Sequence, residues 1–358
     1  MDLSERKLGI LKAVIDDYIM TGLPIGSRTI SKKHGFDLSS ATIRNEMADL
    51  EELGFLEQPH TSAGRIPSQK AYRYYVDRLM RVVKLSPAEA EKIKRYFKDR
   101  MSEVEQVMEK AAQALSDSTH HISMVLRPQL KRSVIKRIQM VKITERKAIL
   151  LVITNAGLVT DTVIVVPEGL TPSYLEMIGG LLTEKLSKKT LEEAEQDLFC
   201  CLRENIGINS DFVSDIISAI ETSVEPQGER GIVLSGTQKI IEFPEYMSVE
   251  KARNFLSVLE TKEMLYDMMK EATKLEFSVT IGQENLVKEL EDMSIVTATY
   301  KIGGESLGSF GVIGPTRMDY GKVISILGYV SNDTKISYPV HGCHKKPVLC
   351  FHLPHYLI

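Results

Sequence analysis

Residues 26–54 hold the side chains best suited to chemistry with another macromolecule. Ser39 or Ser40, Thr42, Arg44 and Asn45 crowd the start of a segment whose Ile43, Met47 and Leu50 repeat at helical spacing. Arginine pairs with guanine and asparagine with adenine, while hydroxyls beside a helix N-terminus suit phosphate. A little further on, His60, Thr61, Ser62 and Arg65 decorate the turn-rich stretch PHTSAG at 59–64, which suits contact with a duplex backbone or minor groove. In a helix-turn-helix, the second helix enters the major groove and its first residues reach base edges. The pattern fits DNA binding. A small helical bundle with a polar face has the same spacing, so spacing alone leaves both readings open.

Two other groups carry less. His341, Cys343, His344, Cys350, His352 and His355 close the chain, and thiolate with imidazole can hold zinc. Their spacing matches no standard finger, and two prolines in a short tail favour an altered terminus. Gly282 and the 311–315 run do not match a Walker-type phosphate loop, and Gly303, Gly304, Gly308, Gly311 and Gly314 read as turns and bulges. No nucleophile–base–orienter set stands at motif spacing, so no enzyme, cofactor or metal is expected.

These groups need elements to position them. Leu8, Leu11, Val14, Ile15, Tyr18 and Ile19 predict a first helix, ended by GLP at 22–24. Ser27 caps a short second helix stopped at Gly35, and Ser39 or Ser40 caps a third that stops at Gly54. Strands over 55–58 and 65–67 flank the turn, and a fourth helix points Tyr72, Val76, Leu79 and Met80 inward. Ser86 and Pro87 open one long helix to about Leu115, which is a spacer, a dimer seam or a core element. Strands are expected over 134–143, 148–154 and 158–166, the last two joined at Asn155-Ala156-Gly157. A helix over 172–186, acidic helices within 190–225, a strand at 231–234 and a helix over 248–272 follow. Strands at 275–281, 294–301 and 307–313 and a helix near 318–330 complete the pattern.

The 358 residues carry 45 Lys and Arg against 48 Asp and Glu, a net charge of −3, so any nucleic-acid site must be local. The charges are segregated. Arg65, Lys70, Arg73, Arg78, Arg81 and Lys84 face only Asp77 in 58–84, whereas Arg203 alone opposes a run of acids in 190–225. Four cysteines do not make a disulfide scaffold. No apolar run reaches the ~18 residues of a spanning helix, and no signal core follows the charged start. A cytoplasmic protein without a membrane partner is expected.

Longer strings narrow the reading. GSRTISKK at 26–33, SSATIRNEMADLEELG at 39–54, HTSAGRIPS at 60–68 and YRYYVD at 72–77 resemble the HrcA family of heat-inducible transcription repressors, as do IGQEN at 281–285 and GVIGPTRMDY at 311–320. The resemblance covers about residues 1–333; TKISYP at 334–339 and the His/Cys tail depart from it. It implies an α+β multidomain chain: a winged helix-turn-helix domain over 1–84, a linking long helix over 85–120, a GAF-like α/β sheet domain over 121–186 and 231–333, and an inserted helical dimerisation domain over 187–230, before the atypical tail at 334–358. It further implies a homodimer that binds an inverted-repeat operator, CIRCE, in double-stranded DNA upstream of chaperone operons. Heat would inactivate it and the GroEL chaperonin would promote its active form. The alternative is a ligand-gated regulator with its effector site in the GAF-like domain.

Overall fold

The computed structural model describes residues 3–60, 63–98, 104–128, 133–155, 159–190, 193, 210–224, 231–285, 287–302 and 305–333. It is a mixed α and β chain with antiparallel sheets. Helix α1 (Glu5–Thr21) starts at Ser4, whose hydroxyl accepts from the Lys7 N–H, and buries Ile10, Leu11, Val14 and Ile15. Helix α2 (Ser27–Lys33) buries Ile30, and α3 (Ser40–Glu52) buries Ile43, Met47 and Leu50 against both. Strands β1 (Leu56–Glu57) and β2 (Ile66–Pro67) pair antiparallel, shorter than their expected spans. Helix α4 (Gln69–Tyr74) runs into a wider turn, in which the Met80 N–H donates to the Tyr75 carbonyl five residues back.

The single long helix expected from Ser86 to Leu115 is two. Helix α5 (Pro87–Arg95) ends at a turn and α6 (Val104–Thr119) follows. The Tyr96 hydroxyl donates to the Asp117 carboxylate at 2.7 Å, across 21 positions. A straight helix would hold them about 31 Å apart, at 1.5 Å per residue. Its apolar stripe is core rather than seam: Met108, Ala111, Ala112 and Leu115 are fully buried.

Five strands form the main antiparallel sheet: β7 (Ile232–Ser235), β3 (Ile122–Leu126), β10 (Glu305–Pro315), β9 (Met293–Ile302) and β8 (Phe277–Ile281), in that spatial order. Both faces are covered. Phe310, Val312, Val296 and Ala298 belong to a core shared with α6 and with α11 (Tyr320–Asp333). On the opposite face, Ile313, Ile295 and Met124 pack with α9 (Val249–Glu260) and α10 (Lys262–Ala272). The helix expected over 248–272 breaks at Thr261, whose ψ of 71° lies outside the helical region.

The strands over 135–165 do not join that sheet, which corrects the expected grouping of 121–186 with 231–333. Strands β4 (Ile135–Thr144), β5 (Lys147–Thr154) and β6 (Val159–Val165) make a separate three-stranded sheet, order β4-β5-β6. One face packs on α7 (Pro172–Leu186) and α8 (Ser210–Val224) around Leu150, Val152, Leu182 and Ile216. The alternating burial of β5 aims every second residue at those helices. The other face leaves Val141, Ile143, Val159, Val163 and Val165 exposed. Most of the acidic segment 190–209 and the whole His/Cys tail lie outside the described residues, and so does the expected turn at 156–157. No helix among the described residues is long and apolar enough to cross a membrane.

His121, just before β3, stacks on Phe243 with ring centroids 5.2 Å apart, and its Nδ1 has no hydrogen-bond partner among the described residues. Burial, with the charges of His120, Arg317 and Lys239 behind it, pushes its pKa down to about 4. The unfolded chain takes the proton near pH 6.5, before the folded one does. Stability should therefore fall as pH drops from about 6.5 to about 4, by up to about 3 kcal/mol, with no contribution to the slope above that window. Urea unfolding at about pH 7 and about pH 5 checks this, with His121→Phe expected to show the smaller loss. An equal loss in the variant would refute it.

Candidate nucleic-acid interface

Each face of α3 has its own contact. Ile43, Met47 and Leu50 enter the core. Glu46 and Asp49 meet Lys7 of α1, both at 2.8 Å, and Arg6 also reaches Glu46. Those acids, Asp49 foremost and then Glu46, raise the Lys7 pKa. Glu51 accepts from Arg65 Nε at 2.8 Å. Lys70 donates to the Leu53 carbonyl at the C-terminal end of the helix and lies 4.5 Å from the Phe55 ring centre. The remaining strip carries Ala41, Arg44, Asn45 and Ala48, and there Arg44 and Asn45 are exposed without a hydrogen bond or ion pair among the described residues.

Ser39, not Ser40, is the cap. Its hydroxyl accepts from the Thr42 N–H at 3.0 Å and lies 2.9 Å from the Thr42 hydroxyl, so both side chains fix the start of the helix. Ser40 is half-buried beside them. Capping orients the remaining first-turn N–H groups outward, where the positive end of the helix dipole favours an anion.

A single-residue bridge joins the hairpin to the chain before α2. Ile25 and Arg65 exchange two backbone hydrogen bonds, each 2.8 Å. A Cβ on Gly64 would overlap the Ile25 backbone, so only glycine allows that approach. A one-residue bridge has no periodicity, which is why sequence reasoning missed it. Arg65, expected to set the turn against a duplex backbone or minor groove, has its guanidinium largely buried on Glu51 and ties the hairpin to α3. His60 is exposed, while Thr61 and Ser62 lie outside the described residues.

Arg28 and Lys32, on α2, are further exposed cations that carry no partner among the described residues. Their sequence neighbour Lys33 is held by the buried Asp17. Residue type could not separate these lysines and arginines, because only the fold decides which cations meet a carboxylate. Together α2, α3 and the hairpin present arginine, asparagine, lysine, histidine and hydroxyl groups, a set that recognises a polyanion carrying base edges.

Known proteins give the class. The chain is 42% identical over 335 residues to a heat-inducible transcription repressor of Ruminiclostridium cellulolyticum, covering 93% of this chain and 96% of that one. It is 39% identical to the corresponding repressor of Acetivibrio thermocellus, covering 94% and 96%. A solved structure described only as a hypothetical protein aligns with a TM-score of 0.56 at 25% identity, over 92% of this chain and 96% of that one. The two relatives from Ruminiclostridium cellulolyticum and Acetivibrio thermocellus define a class of transcription repressors. The profile described as HrcA protein C terminal domain matches residues 105–324, and the chain belongs to the HrcA family.

Gly64→Ala should separate the hairpin from Ile25 and destabilise the protein by about 1–3 kcal/mol, the usual cost of overpacking. Urea unfolding reads the loss. Unchanged stability would mean that the hairpin does not depend on this approach.

Proposed function

We propose that the chain is a heat-inducible, DNA-binding transcription repressor whose N-terminal unit is a winged helix-turn-helix. Helices α2 and α3 are the paired helices, α3 is the recognition helix, and the β1–β2 hairpin is the wing. One observation carries this reading: Arg44 and Asn45 stand exposed on the outer strip of α3 while Glu46, Asp49 and Glu51 are engaged elsewhere. In the major groove, Arg44 would donate to guanine and Asn45 would pair with adenine, and the small Ala41 and Ala48 let the helix come close. Ser39, Ser40 and Thr42 at the helix start would face phosphate. His60, Thr61 and Ser62 would place the wing on the backbone or minor groove, with Arg65 acting through Glu51.

The family membership supports the rest. The five-stranded sheet with its helices is the GAF-like domain, and the unit over 135–224 is the inserted dimerisation domain. The exposed valine and isoleucine face of β4–β6 supports that assignment, since such a face needs a partner. A two-fold dimer matches an inverted repeat, the CIRCE operator, and occupancy there would exclude polymerase. Heat would act through the protein's own stability. A loss of 1–2 kcal/mol changes the folded-to-unfolded ratio about 5–30-fold. GroEL would return non-native chains to the folded pool.

Binding of the full chain to a CIRCE duplex and to a scrambled duplex tests the proposal. Arg44→Ala and Asn45→Ala should each cost about 1–3 kcal/mol of operator preference. Unchanged preference in both would remove α3 from the interface. Arg65→Ala should weaken binding with no change in salt slope, because its charge already faces Glu51; a slope smaller by about one unit would instead make it a phosphate contact. Operator occupancy on heating should fall together with the tyrosine circular dichroism and rise with chaperonin and ATP. Loss of occupancy while the tertiary signal stays native would favour a ligand-gated regulator.

A further inference from the structure

The strings at 281–285 and 311–320 meet the N-terminal unit through polar contacts at two points. In the first, α4 lies on the loop after β8. The Arg73 guanidinium donates from Nε to Glu284 Oε1 at 2.7 Å and from Nη2 to the Val279 carbonyl at 2.7 Å, and a second bond reaches Glu284 Oε2. One turn earlier, the Gln69 side chain accepts from the Gln283 N–H at 2.9 Å and donates to the Glu291 carbonyl at 3.0 Å. Gly282 has a φ of +57°, and a Cβ there would run into the Gln69 amide, so the loop is shaped to receive that side chain.

The receiving loop is set in advance. The Asn285 amide donates to the carbonyls of Gly282, Leu290 and Met293, at 2.9–3.0 Å. Glu284 accepts from the Ile281 N–H at 2.8 Å, so its carboxylate is aimed before Arg73 arrives. At the second point, Arg317 donates to the Ile19 carbonyl near the end of α1 at 3.2 Å and is itself paired with Glu245. Between the two points the Tyr72 and Tyr320 rings meet in the core, with centres 6.1 Å apart.

A pair of long polar side chains on a preset loop, with a second arginine on the far side, fixes orientation rather than merely adding apolar contact. We propose that Gln69, Arg73 and Arg317 are positioning residues that lock the DNA-binding unit onto the five-stranded sheet domain, so that this junction sets which half-site spacing a dimer accepts. The inference rests on the repressor reading above. It deepens that reading by locating spacing selectivity away from α3. In a dimer held together elsewhere, the distance between two recognition helices is only as definite as each unit's attachment to its own body. Half-sites must lie at near-integral turns of about 10–10.5 base pairs.

The test uses the full-length protein and three duplexes: one half-site, the CIRCE repeat at its own spacing, and the repeat with a spacer lengthened by about half a helical turn. Arg73→Ala and Glu284→Gln should leave half-site affinity within about twofold of wild type and reduce the preference for the original spacing at least tenfold, with the double variant no worse than either single. Arg73→Lys should fall between, because lysine cannot form the two-pronged bond. Hydrogen exchange over 281–285 should accelerate in Arg73→Ala. A wild-type spacing profile in both single variants would overturn the assignment. So would a half-site loss as large as the operator loss, since that reports general damage. If the wild type selects no inverted repeat, the repressor reading fails, and hydrogen exchange alone then decides the lock: unchanged protection of 281–285 in Arg73→Ala overturns it.

Discussion

The apolar core of the N-terminal unit does not stop at its own boundary. Ile10, Ile43 and Leu50 belong to the same buried cluster as Val296, Phe310 and Leu327, joined through Tyr72 and Tyr320. Everything else in the N-terminal half is arranged around that continuity. Burial holds the hydroxyl protons of both tyrosines, raising their pKa values far above the ordinary. Two folded bodies that share a core move together, so a perturbation of the sheet is felt by α1 and α3.

Charge is distributed on the same plan. Glu46 and Asp49 of α3 pair with α1 and Glu51 pairs with the hairpin, and those contacts tie the helix to its neighbours. Arg44 and Asn45 stay uncommitted on the outer strip, among the described residues. A mildly acidic chain can thereby offer a duplex a local surface of the right sign, its remaining carboxylates being spread elsewhere.

Much of this was legible in the residues. Helix α7 was expected over its observed span, and the strands at 294–301 and 307–313 lie within the longer ones found, because helical spacing and short β-rich runs are local marks in the sequence. Arg44 and Asn45 could be singled out from α3's periodicity. The break between α5 and α6 could not, since Phe97 continues the helical spacing and contacts such as Tyr96–Asp117 and Lys92–Asp117 exist only in the folded chain. Nor could sheet membership: β3 and β5 are similarly apolar yet belong to different sheets, because pairing partners are a long-range choice. Arg65 hid its pairing for a related reason. Its partner Glu51 lies fourteen positions away on another element.

The placement of β10 has a consequence for how the chain is made. It lies between β3 and β9, although β3 precedes it by roughly 180 residues. Synthesis at about 5–20 residues per second leaves β3 waiting about 10–40 s for that neighbour. Ile122–Leu126, wholly buried in the finished sheet, keeps one edge open for that interval; β7 reaches its other edge only after the three-stranded unit over 135–224 has emerged and can close on its own core. The middle of the main sheet is thus assembled last, and each newly made chain passes through a period in which an edge of β3 is open to pairing with another chain.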